Sequence, residues 1–244
     1  MAQEQSDGKL RTRRNFLKTA VGVGGGLTVA NFGGVFGIGS AEIAASDVSA
    51  IVNLAATAEA LAVTLYYAVI AGATFYIGEQ AIENLKLAMD AEMHHLQILQ
   101  SLGGRPLTWQ FHLPERMATD ADVFVDTALK AETAFAGAYL AATHQLAVLG
   151  QPRLAATAAQ HGASEAQHLM VMRHLAGFGP SDLTLPEPIF RQVSDALPTL
   201  APFLKGGGGY RGPVSFPSPD SYQAAIGDTR AARARTFAQA YGAH

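Results

Sequence analysis

The chain has 244 residues, of which 49% are hydrophobic and 15% charged, with a formal net charge of −3 and no cysteine. The absence of Cys excludes a disulfide framework, a thiolate zinc site, a Cys-ligated iron–sulfur or rubredoxin-type centre and haem attached through Cys-x-x-Cys-His, so any redox metal must be held by nitrogen and oxygen. Five of the 17 basic residues lie in the first 18 positions; residues 46–244 carry 12 basic against 17 acidic side chains, a net charge of −5, and an acidic body of this kind does not attract nucleic acid.

Residues 1–45 read as an export address. Thr12-Arg13-Arg14-Asn15-Phe16-Leu17-Lys18 resembles the twin-arginine signal pattern and is followed by 23 uncharged residues, Thr19 to Ala41, diluted by glycine. Small residues offer processing after Ala41 or after Ala45. The alternative is a retained membrane anchor, since 23 uncharged residues are long enough to span a bilayer, although Gly-rich segments make poor spanning helices. The resemblance implies transport of an already folded protein through the twin-arginine translocon to the periplasm or another extracytoplasmic space.

Four amphipathic helices follow, in an all-α bundle over residues 46–178. The first runs from Ser46 or Asp47, a suitable N-cap, toward Gly72, with Glu59 and Tyr66 on its apolar stripe. The second covers about Glu79 to Leu102, placing Glu92 and His95 on one face with Leu85, Met89, Leu96 and Leu99. A third, Asp120 to Leu149, aligns Glu132 and Tyr139 with Leu129 and Phe135. The fourth, Pro152 to Ala176, aligns Glu165 and His168 with Leu169 and Met172. Short connections make each pair an antiparallel hairpin, and Gly103 to Thr119, with Pro106 and Pro114, is the crossover between them. Residues 179–244 form a C-terminal extension. Leu183 to Leu204 predicts a short strapping helix, Gly206 to Gly209 a flexible link, and Pro219 to Tyr241 a fifth helix docked on the bundle or on another subunit of a homo-oligomer. Its Arg230, Arg233 and Arg235 read as a solvated charged face.

One offset organises the polar residues inside this apolar pattern. Adding 73 to Glu59, Tyr66, Glu92 and His95 gives Glu132, Tyr139, Glu165 and His168, in a chain with only 10 Glu and 8 His. A buried ionised carboxylate costs several kcal/mol, and four that converge also repel one another. The basic residues nearest these stripes, Lys130 and Arg173, do not repeat at the offset. Two divalent cations cancel four carboxylates and leave two neutral imidazoles to coordinate, and Glu and His at i and i+3 project from one helix face.

Glu59, Glu92-x-x-His95, Glu132 and Glu165-x-x-His168 together resemble the ligand set of the ferritin-like di-metal carboxylate superfamily, a Glu from each of two helices and Glu-x-x-His from each of the other two. The resemblance covers roughly residues 47–177. With the twin-arginine signal ahead of it, the chain is similar to the exported ferritin-like family that includes desiccation-related proteins. It implies that Glu59 and His95 are terminal ligands of one metal ion, Glu132 and His168 of the other, and that Glu92 and Glu165 bridge them. It also implies that Tyr66 and Tyr139 hydrogen-bond the ligands; a tyrosine on an apolar helix face is otherwise a core residue with a satisfied hydroxyl. His161, one turn before Glu165, is a candidate extra ligand whose partner at the offset is Ala88. His94 points about 100° away from the site, Asp90 reads as solvated, and His112, His144, His174 and His244 as surface or packing residues.

Nitrogen and oxygen ligation suits iron or manganese. The leading expectation is a di-iron oxidoreductase of ferroxidase or peroxidase type that reacts with O₂ or H₂O₂ in oxidative or desiccation stress. A fused Cys₄ electron-delivery centre is absent, so a separate electron donor is needed. Metal sequestration and a purely structural metal are the alternatives; storage would need a closed shell of many subunits.

Overall fold

The computed structural model describes residues 47–179 and 183–241. The twin-arginine box, the uncharged stretch after it and both processing sites lie outside the described residues, as does His244.

The four long helices form as expected: α1 Val48–Gly72, α2 Glu79–Ser101, α3 Ala121–Val148 and α4 Pro152–Leu175. Helices α1 and α3 start 73 residues apart, and so do α2 and α4, so the offset seen in the candidate ligands is an offset of whole hairpins. The caps follow it too. Asp47 accepts a hydrogen bond from the Ser49 amide (3.1 Å) and Asp120 from the amides of Asp122 and Val123 (3.1 and 3.2 Å), each contributing about 1 kcal/mol. Pro152 opens α4 at a position whose N–H has no intrahelical acceptor. Gly150, with φ +71°, takes the left-handed turn that lets α4 fold back on α3 after three residues.

Helix α1 packs on α2 and α3, and α4 on α3 and α2. The core they share contains Leu61, Val63, Leu65, Leu85, Met89, Leu129 and Met172, all buried, and burying a side chain of this size contributes about 1.5–3 kcal/mol. Helix α1 is long and apolar enough to cross a membrane by composition, yet most of it is buried within the protein as a bundle core helix.

The bundle carries one addition, and two expectations need correction. The molecule is mostly helical, compatible with the expected all-α bundle, and carries one small sheet: within the crossover, β1 (Gln110–Pro114) pairs antiparallel with β2 (Tyr210–Ser215), with an irregularity between Phe111 and Leu113. Phe111 and Leu113 are buried while Gln110 is exposed, an alternation that a crossover reading passes over. Gly206 to Gly209 is not a loose link, because Tyr210 donates to the Gly207 carbonyl and Glu115 to the Gly209 carbonyl, both at 2.9 Å. The helix from Pro219 to Tyr241 is broken into α6 (Pro219–Ile226) and α7 (Phe237–Tyr241), with Gly227 at φ +60° ending the first.

The strapping helix forms late. A 3₁₀ turn at Val193–Ala196 leads into α5 (Leu197–Lys205), because Pro186 and Pro188 remove donors and disfavour helix before them. Gln145 of α3 accepts the Val193 amide at 2.7 Å. Close packing of the preceding segment needs a glycine: a Cβ at Gly137 would lie 2.6 Å from Ile189 Cγ1.

Candidate metal centre

Eight side chains, two from each of four helices, meet in the middle of the bundle. Glu59 and Tyr66 come from α1, Glu92 and His95 from α2, Glu132 and Tyr139 from α3, Glu165 and His168 from α4. The four carboxylates are at most 1% exposed, and His95 and His168 are 9% and 7% exposed. Ligand atoms of Glu59, Glu92, His95 and Glu165 lie within 4.8 Å of one another, and so do those of Glu92, Glu132, Glu165 and His168. The sets share Glu92 and Glu165.

The shared carboxylates are split between the two sides. His95 Nδ1 lies 3.0 Å from Glu92 Oε2, 3.3 Å from Glu165 Oε1 and 3.6 Å from Glu59 Oε2. His168 Nδ1 lies 2.8 Å from Glu92 Oε1, 3.6 Å from Glu165 Oε2 and 3.9 Å from Glu132 Oε2. Each shared carboxylate thus presents one oxygen to each imidazole.

Proximity is not matched by donation. Glu92 Oε1, Glu132 Oε2, both oxygens of Glu165 and His168 Nδ1 are buried without a hydrogen bond. Leaving a buried polar atom unsatisfied costs about 1–3 kcal/mol, more where it is charged. Such close, unpaired lone pairs suit a cation rather than a proton network, so the donor set fits a metal.

Protons carry the charge balance when no cation does. Burial, reinforced by Glu92 and Glu165, pushes the carboxyls of Glu59 and Glu132 well above the usual range. Burial opposes ionisation of Glu92 as well, but His168 and His95 beside it hold it well below the usual range. Burial works against charged imidazoles, yet Glu59 beside His95 and Glu92 beside His168 outweigh it and raise both.

The tyrosines exchange halves. Tyr66 of α1 donates to Glu132 of α3, and Tyr139 of α3 donates to Glu59 of α1. Burial and the neighbouring carboxylates raise both phenols well above their ordinary value, so each hydroxyl stays a donor. The phenols tie the two hairpins together at the outer carboxylates.

His161 stands apart from both four-residue sets. Its Nδ1 is 2.9 Å from the Thr157 carbonyl and its Nε2 is buried without a partner. Its ring stacks on Tyr139 at 5.2 Å and lies 4.6 Å from the His95 ring. Burial, then the nearby His95, lowers its pKa to about 4, so it is neutral. His94 borders a cleft, His112 packs under Gly206, and His144 and His174 are exposed. The Arg173 guanidinium lies over the Phe178 ring at 5.1 Å.

The reading of Asp90 as solvated is wrong. It is 2% exposed and accepts from the Tyr222 hydroxyl (2.7 Å), the Ala231 amide (2.8 Å) and both terminal nitrogens of Arg233 (2.7 and 2.9 Å). Arg233 is therefore not simply part of a solvated charged face. Sequence gave no warning, because Ala163 stands at the offset and the donors lie more than 130 residues away. The buried carboxylate holds the 227–236 segment against α2, and Gln160 and Thr157 of α4 secure its far side through the Phe237 and Ala238 amides.

No family model, curated protein or solved structure matches this chain.

Proposed function

We propose that the protein is a ferritin-like di-metal carboxylate protein that binds two iron ions, with manganese as the other candidate, and reduces O₂ or H₂O₂. One observation carries this reading: four buried carboxylate oxygens with no hydrogen-bond donor, three of them on Glu92 and Glu165, whose carboxylates face both imidazoles. Glu59 and His95 would hold one ion, Glu132 and His168 the other, with Glu92 and Glu165 common to both. Two ferrous ions so held would supply the electron pair that cleaves an O–O bond, and oxygen and nitrogen ligands suit that metal.

The chain's own contribution is placement and insulation. Tyr66 and Tyr139 fix the orientation of Glu132 and Glu59 by donating from the opposite hairpin, as outer hydrogen bonds do for metal ligands generally. The apolar core around the carboxylates excludes water and strengthens every charge interaction inside it. Electrons would come from a separate donor, since the chain has no Cys to hold a second centre. Arg13 and Arg14 would direct the folded protein through the twin-arginine pathway to the periplasm, where it serves in oxidative or desiccation stress.

Anaerobic reconstitution with ferrous ion, followed by metal analysis and visible spectra before and after peroxide, tests the reading. Two irons per chain and a spectral change that a reductant reverses are expected. Metal that is bound but never changes redox state would leave only a structural role. Arg13→Lys together with Arg14→Lys should retain folded precursor in the cytoplasm, and normal export of that variant would remove the export assignment.

A further inference from the structure

A cleft of about 610 Å³ runs between α2 and α4, roofed by Ala231 to Thr236 and lined by His95, His161 and His168. The two candidate ligand imidazoles turn Nδ1 toward the carboxylates, so the opposite ring nitrogen, Nε2, faces away from them. A metal at Nδ1 leaves the proton on Nε2. In most metal sites a carboxylate or carbonyl of the protein accepts that proton. Among the described residues no group accepts from Nε2 of His95 or of His168, and both rings border the cleft.

We propose that this cleft binds a small organic carboxylate, whose two oxygens accept the Nε2 protons of His95 and His168. The ring centroids are 6.2 Å apart, near enough for the two oxygens of one carboxylate to serve one ring each, at hydrogen-bond lengths of about 2.8 Å. Charge favours an anion. The acid nearest the roof, Asp90, is neutralised by Arg233 and held by Tyr222 and the Ala231 amide, which leaves Arg235 as the basic residue bordering the cleft outside that pair. Leu87, Ile98 and Val171 give the wall an apolar part that suits a short hydrocarbon tail. The ligand would complete the hydrogen bonding of both imidazoles from outside the metal pair.

The proposal rests on the metal-centre reading, because the metal fixes the proton on Nε2. The test uses the full chain loaded with zinc, with metal content measured first, and sodium butyrate as the probe. Calorimetry should give one butyrate per chain, and ¹⁵N spectra should show the Nε2–H signals of His95 and His168 shifting on titration. Ala163→Phe and Leu87→Trp, both at exposed positions on the wall, should each weaken binding at least ~10-fold, or ~1.4 kcal/mol, with zinc content unchanged. In the cobalt-loaded chain the visible bands should stay in place. No butyrate binding to a zinc-loaded chain overturns the carboxylate site alone. So do equal binding of butanol, binding unaffected by both variants, or cobalt bands displaced by direct ligation. A chain that takes up no zinc overturns the metal reading and this site with it.

Discussion

The two hairpins carry the same candidate ligands in different surroundings. In α1–α2 and α3–α4 the Glu, Tyr and Glu-x-x-His positions repeat at 73 residues, and the tyrosines cross symmetrically between halves. Beyond that set and the helix starts, the repeat fails at two buried polar positions. Ala88 of α2 corresponds to His161 of α4, which leans on His95 and Tyr139. Asp90 of α2, buried under the C-terminal segment, corresponds to the exposed Ala163. A duplicated set of candidate ligands therefore does not give the two halves equivalent surroundings, because each set sees a different second layer of side chains.

Removing a shared carboxylate tests the common part of the comparison with the largest effect. Glu92→Ala and Glu165→Ala should each take metal content from two per chain toward zero, whereas His95→Ala and His168→Ala should each leave about one, by metal analysis of reconstituted protein. Two metals retained by Glu92→Ala would end the shared-ligand reading.

Stripping the metal should lower the melting temperature at pH 7, and acid should recover part of the loss. The sign follows from the shifts in the metal-free chain. Glu59 and Glu132 have raised folded pKa values, set first by burial and then by Glu92, so the folded state loses stability as pH rises above about 4.3 toward those values. His95 and His168, raised by Glu59 and Glu92 against the effect of burial, stabilise fully below about 6.5 and lose that contribution as pH rises through their folded values. Thermal melts of chelated protein at pH 5.5 and 7.5 check this; equal melting temperatures would mean the carboxylates do not converge.

The asymmetric part is tested by Asp90→Ala. Loss of a buried carboxylate with four donors should cost about 2–3 kcal/mol, while Ala163→Asp at the matching exposed position should stay within about 0.5 kcal/mol. Denaturant unfolding of the two variants gives the comparison directly.

The smallest effect should come from the phenols. Tyr66→Phe and Tyr139→Phe should keep two metals but weaken affinity about 10-fold or more, measured by competition with a chelator. Tyr139→Phe should also shift the His161 signals in ¹⁵N spectra, because that ring stacks on it, and Tyr66→Phe should not. Identical spectra would make the two halves equivalent after all.

Local signals determined much of this molecule. Asp47, Asp120 and Pro152 start helices by satisfying or lacking a terminal N–H, and the apolar spacing carries the stripes on which the ligands lie. A repeat of rare, costly residues on those stripes made the six candidate ligands legible, since burying like charges is too expensive to be incidental. Tertiary structure alone decided the rest. That Tyr66 serves Glu132 rather than its own helix's Glu59 depends on which helices neighbour one another. The β1–β2 ladder joins residues about a hundred positions apart, and Asp90 finds Arg233 across 143 residues. Pairings of that length leave no periodic mark on either segment, because each partner's pattern is compatible with solvent until the chain folds and brings the other to it.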